Sequence, residues 1–123
     1  MKEYLGEAFA SIELVAADLT DPASIQTAVA GCDFVVHTAS PVFIEESTSE
    51  DDYIKPAVDG TLSVLRAATD SGVKRVVITS SVASAYGTKT EGLLTEDDWT
   101  DLATCTHIYR KSKTLAERAA WDF

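Results

Sequence analysis

Tyr109 and Lys113 stand four residues apart in a run rich in Ala, Lys, Arg and Glu that spans 106–123. On a helix that spacing puts both side chains on one face, one turn apart. A free phenol has a pKa of about 10 and relays protons poorly at neutral pH. An ammonium held beside a phenol favours the phenolate and brings proton exchange toward the working range. The hydroxyl of Ser81 could then bind the oxygen of a carbonyl compound while Tyr109 donates the proton. Ser, Tyr and Lys together suit hydride transfer to or from a carbonyl carbon, with the hydride supplied by a cofactor because no side chain carries one. Three polar clusters each follow an apolar run: Asp18-Leu19-Thr20, His37-Thr38-Ala39-Ser40 and Thr79-Ser80-Ser81. Each also has an ordinary reading. Tyr109 and Lys113 would make a surface pair, the double serine a turn, Asp18 a helix cap and His37 a packed strand end. Their order along one repeating pattern is what gives them weight.

That pattern is an alternation of strands and helices. Residues 12–17, IELVAA, form an apolar run ending at Asp18 and suit a buried strand. Asp21-Pro22 opens a helix that closes near Gly31, with Ile25, Ala28 and Val29 on one face. Residues 33–39 predict a second strand. Phe34, Val35 and Val36 are continuous rather than alternating, as in strands covered on both faces. The acidic stretch from Ser40 to Asp52, including the 45–52 run, predicts a solvated loop. A helix of about 51–71 follows, with Pro56 in or near its first turn. Its expected buried stripe is Ile54, Val58, Leu62 and Leu65, together with Ala57, Thr61 and Ala68. Residues 74–79 predict a third strand, a loop with Gly87 and Gly92 comes next, and the 106–123 helix ends the series. Strands alternating with helices imply a parallel α/β sheet, in which ligands bind beyond the carboxyl ends of the strands.

Composition bounds the rest. The 123 residues, enough for one domain, carry 10 Lys plus Arg against 20 Asp plus Glu, a formal charge of −10. No basic excess is present to neutralise nucleic-acid phosphates or to seek an anionic membrane. No apolar run approaches the roughly 20 residues of a membrane span, and Glu3 and Glu7 interrupt what a signal peptide would need. The expectation is a soluble, cytoplasmic chain. Cys32, Cys105, His37 and His107 lack metal-ligand spacing, so no metal is expected.

The stretches VAADLTD (15–21), CDFVVHTASPV (32–42), IKPAVDGTLSVLRAA (54–68), KRVVITSSVASAYG (74–87) and YRKSKTLAERAAWDF (109–123) resemble the extended short-chain dehydrogenase/reductases. These form the NAD-dependent epimerase/dehydratase superfamily, and the likeness is greatest to its dihydroflavonol 4-reductase-like group. The resemblance implies a partial Rossmann-type, doubly wound parallel sheet made of strands 3, 4 and 5 with their flanking helices. It implies Ser81, Tyr109 and Lys113 as catalytic residues. Asp18 and Leu19 would lie by the adenine, with His37, Thr38 and Ala39 along the dinucleotide. Thr79 and Ser80 would lie at the nicotinamide, and Lys113 on its ribose. The cofactor would be NADP or NAD, with NADP slightly favoured, and the partner a small-molecule carbonyl substrate. Two departures narrow the group. Ala57 stands where many extended members carry asparagine, which favours a reductase over an epimerase. THIYRKSK (106–113) differs from the active-tyrosine stretch of cinnamoyl-CoA reductases, which disfavours a thioester substrate. An epimerase or hydroxysteroid-dehydrogenase-type member is the alternative, and a truncated, non-catalytic binding product is the alternative of another class.

The six glycines, at 6, 31, 60, 72, 87 and 92, make no glycine-rich phosphate loop. The expectation is therefore that residues 1–123 form a partial NAD(P)-binding domain. It would lack the N-terminal glycine-rich strand–helix unit and the C-terminal substrate region. In a 3-2-1-4-5-6 sheet, strands 1 and 2 lie between 3 and 4. The 12–17 strand would then have no neighbour, and the isolated chain would be marginally stable and bind dinucleotide weakly or not at all.

Overall fold

A computed structural model describes residues 2–41, 49–86 and 91–123. Gly87 and the 45–48 part of the acidic run lie outside the described residues. A short helix α1 (Lys2–Leu5) runs into a 3-10 turn (Gly6–Ser11). Helix α2 (Pro22–Val29) starts where the sequence places it. The Asp21 side chain accepts from the Ala23 N–H, Pro22 takes the first position, and Gly31, at φ 79°, turns the chain away.

Strands β1 (Phe34–His37) and β2 (Arg75–Ile78) pair in parallel, with Phe34 opposite Arg75 and His37 opposite Ile78. Helix α3 (Glu50–Asp70) connects them, and helix α4 (Ile108–Asp122) packs along α3. Ser49 starts α3, accepting from the Asp52 N–H at 3.2 Å and donating to the Asp52 carboxylate at 2.7 Å. This cap starts the helix at Glu50, one residue before the expected start at about 51, so the end of the acidic stretch is helical. Pro56 sits in the second turn, and the Asp52 carbonyl receives no N–H from it. At the other end Gly72, at φ 70°, lets the Val73 N–H reach back to the Ala68 carbonyl at 2.9 Å.

The core joins Ile25 and Val29 of α2 to Val64, Ala67 and Ala68 of α3, with Leu19, Val35, Val73 and Val76 packed around them. The stripe on α3 is thus rotated from the expected one. Small residues such as Ala57, Gly60, Ala67 and Ala68 are buried with Tyr53 and Val64, while Ile54, Val58, Leu62 and Leu65 are only half-buried. The small side chains lie where neighbouring elements come close. At Gly60, an added Cβ would stand 3.0 Å from the Leu19 Cβ.

Two strand expectations fail. Residues 12–18 form no strand and are exposed throughout, because among the described residues nothing offers them a backbone ladder. The sheet is also covered on one face only: Val35, His37, Val76 and Ile78 turn inward, whereas Phe34, Val36 and Val77 are exposed. Continuous apolar composition marks positions that can be buried, but an alternating pleat buries only the face that another element reaches.

Candidate functional site

The carboxyl ends of β1 and β2 are tied by the Thr79 N–H, which donates to the His37 carbonyl at 2.9 Å. Immediately beyond them lies a small crevice of about 20 Å³. Of the residues assigned to catalysis or the cofactor from the sequence, His37, Ala39, Thr79, Ser80 and Lys113 line it. Ser40, Thr61 and Glu117 complete its polar wall. Lys113 reaches it from α4 and is buried, 8% exposed. Among the described residues its ammonium has neither a hydrogen-bond nor an ion-pair partner. Burial, and secondarily the charge of Lys113, hold the imidazole of His37 below its usual pKa.

Tyr109 lies one turn before Lys113 on α4 and is half-buried, with its ring edge-on to His107 at 6.5 Å. It does not line the crevice. Ser81 also stands outside it, at the start of the 3-10 turn Val82–Ser84 that packs against α4. The Ser81 Oγ accepts from the Ala83 N–H at 3.2 Å. That bond occupies a lone pair and leaves the hydroxyl proton to be offered elsewhere. Thr38 is exposed and away from the crevice.

Asp18 and Leu19 are apart from this group. The Asp18 carboxylate accepts from the backbone N–H of Thr20 at 2.8 Å and from its hydroxyl at 2.7 Å. These bonds, the hydroxyl's first, hold its pKa below the usual carboxylate range. Leu19 lies against Gly60 and, with Thr20, edges a larger groove of about 410 Å³ beside the first turns of α3.

α4 is fastened at several points along its length. The Ser112 and Thr114 hydroxyls bond back to the Tyr109 and Arg110 carbonyls, and both side chains are inaccessible to solvent. Lys111 pairs with Glu50 at the start of α3 at 2.8 Å. Arg110 and Arg118 lie over the rings of Tyr86 and Trp99.

Sequence reasoning missed Glu117. It follows Lys113 by four residues, as Lys113 follows Tyr109, so the three share one face of α4. Its Oε2 meets the hydroxyls of both Ser80 and Ser84. Extending the spacing by one more turn would have found it.

The donors at this crevice fit a dinucleotide's ribose: hydroxyls from two strand ends and the ammonium of Lys113. A parallel strand–helix–strand unit with a Tyr–Lys helix against its carboxyl edge defines a Rossmann-type short-chain dehydrogenase/reductase fold. The description "3-beta hydroxysteroid dehydrogenase/isomerase family" matches residues 3–121, and the chain belongs to that family. It is 43% identical over 122 residues to an anthocyanidin reductase of Vitis vinifera, covering 91% of this chain and 36% of that one. A dihydroflavonol 4-reductase of Hordeum vulgare is 37% identical over 115 residues, covering 87% and 32%. Among solved structures, the yeast methylglyoxal/isovaleraldehyde reductase Gre2 complexed with NADPH is 29% identical with a TM-score of 0.72, over 98% of this chain and 42% of that one. The chain thus spans about a third of the length of the curated relatives it matches. Among the described residues, no helix is long and apolar enough to cross a membrane.

Proposed function

We propose that residues 1–123 carry the catalytic helix and part of the dinucleotide-binding sheet of an NAD(P)H-dependent carbonyl reductase. The observation that carries this reading is the largely buried Lys113 side chain at the carboxyl ends of two parallel strands, four residues after Tyr109 on the same helix. A nicotinamide dinucleotide, when bound, supplies the hydride that no side chain can. The chain's own residues do the remainder. Ser81 offers its free hydroxyl proton to the carbonyl oxygen of the substrate and fixes its direction. Tyr109 gives its phenolic proton to that oxygen as the carbonyl carbon is reduced, leaving an alcohol. The Lys113 ammonium steadies the phenolate left behind and donates to ribose hydroxyls, with Thr79, Ser80 and His37 beside it. Thr38, Ala39, Asp18 and Leu19 continue the same edge of the sheet toward the adenine end.

Relatives named as reductases support reduction over epimerisation, and the NADPH held by the yeast reductase supports NADP(H) over NAD(H). The substrate class is a small ketone or aldehyde. The free thiols Cys32 and Cys105 suit a reducing compartment, and we place the protein in the cytoplasm.

The test is Tyr109→Phe in the natural polypeptide that carries this sequence, assayed by NADPH oxidation with carbonyl substrates. Turnover should fall by about 10²–10⁴-fold, the usual worth of a general acid, while NADPH binding by fluorescence titration holds. Undiminished turnover in the variant refutes the assignment of Tyr109.

A further inference from the structure

We infer that Glu117 is a positioning residue that sets Ser81 against the Tyr109–Lys113 face of α4. This rests on the reductase reading for its consequence, but its structural basis is separate. Ser81 belongs to the segment after β2, whereas Tyr109 and Lys113 belong to α4. Nothing in the chain's local geometry fixes one relative to the other, and a carbonyl oxygen must meet both hydroxyls at once.

The link runs through one carboxylate. Glu117 Oε2 accepts from the Ser80 hydroxyl and meets the Ser84 hydroxyl. Ser84 is buried at 5% exposure and stands 2.7 Å from the Ser81 carbonyl, to which its hydroxyl also donates. Its single proton therefore alternates between the Ser81 carbonyl and the Glu117 carboxylate. The two serine oxygens are themselves 3.4 Å apart. Ser81 is thus bracketed by residues one before and three after it, both held on the same oxygen of α4.

The far side of the turn is held independently. Thr100, fully buried, donates its hydroxyl to the Ala83 carbonyl at 2.8 Å and its N–H to the Ser84 carbonyl at 2.7 Å. Thr100 supports the turn from the loop that leads into α4, so removal of Glu117 should loosen the turn on its α4 side, without unfolding it, and free its alignment with α4. Because Glu117 lies on the same helical face as Tyr109 and Lys113, the carboxylate transmits the helix's own position to the serine segment. That is a different task from ion pairing: Lys113 shares the crevice, yet no ion pair joins it to Glu117.

The test compares Glu117→Ala with Glu117→Gln in the natural polypeptide, alongside hydrogen exchange of the 81–85 amides. A misplacement of reacting groups by about 1 Å costs on the order of 100-fold. Glu117→Ala should lower kcat by about 10- to 100-fold with the KM for NADPH unchanged, and should speed exchange at 81–85. Glu117→Gln, whose amide can bond both serines, should recover most of kcat and of the exchange protection. An unchanged kcat in Glu117→Ala overturns the inference, as does a rise in the NADPH KM that accounts for the loss. If the wild type shows no carbonyl reduction, the reductase reading fails instead. Exchange at 81–85 then decides the clamp alone: faster in Glu117→Ala and restored in Glu117→Gln upholds it, unchanged rejects it.

Discussion

Residues 12–18 and residues 34–37 have much the same composition, short apolar runs ending in a polar residue, yet only the second is a strand. Phe34–His37 lies beside Arg75–Ile78, which supplies a parallel ladder, and beneath α3, which covers Val35. Ile12, Leu14 and Val15 have neither, and they are 43%, 68% and 48% exposed. A strand's hydrogen bonds are made with another segment, so a β-prone sequence is a strand only where a partner exists. The difference divides the chain into an α2–β1–α3–β2–α4 unit that carries the core and the candidate site, and the segment before α2, which reaches that core through Leu19.

Paired truncations test that division most strongly. Val64→Ala removes buried volume from the core and should cost about 1–3 kcal/mol. Leu14→Ala removes a side chain that packs on little and should change stability by less than about 0.5 kcal/mol. Urea unfolding of the two variants reads both numbers. A Leu14→Ala loss equal to that of Val64→Ala would show that the amino-terminal segment shares the core.

A pH series sharpens the same contrast from the side of the site. Burial holds His37 neutral in the folded chain, with Lys113 adding to the effect, so its folded pKa lies below that of the unfolded chain, about 6.5. Between the two values the unfolded state binds more protons. Stability is therefore complete above about pH 6.5 and falls as pH drops from there through the folded value. Asp18 and Asp101 have depressed pKa values too, but their contributions are lost only below about pH 4, outside that window. Melting temperatures between pH 8 and pH 5 should decline, and His37→Asn should flatten the decline. An equal slope in the variant would mean that the crevice does not bury the imidazole.

The smallest effect is expected at the seam. Gly60→Ala gains helix propensity of about 1 kcal/mol but places a Cβ 3.0 Å from the Leu19 Cβ. Leu19 sits in a turn without a ladder and can give way, so the net change should stay within about 1 kcal/mol. Limited proteolysis around residues 12–20 should nevertheless quicken. A melt shift as large as that of Val64→Ala would place the 18–20 turn within the core and remove the division drawn above.

Helices α2, α3 and α4 and the residue types at the site, Glu117 aside, were legible in the sequence. Asp21-Pro22, Ser71-Gly72 and the Tyr109–Lys113 spacing act through bonds or geometry spanning four or five residues, so local sequence suffices to specify them. The Ser49 cap of α3 was legible too, had its hydroxyl been weighed against the Asp52 N–H three residues on. Tertiary structure alone decided three matters. It left 12–18 without a strand, because its ladder requires a neighbour far away in sequence. It turned the small face of α3 inward, because Gly60 and the alanines allow a close approach that larger residues do not. It brought His37, Thr79, Ser80, Lys113 and Glu117, from two strand ends and one helix, to a single crevice, since each side chain's chemistry is local but its neighbours are set by packing.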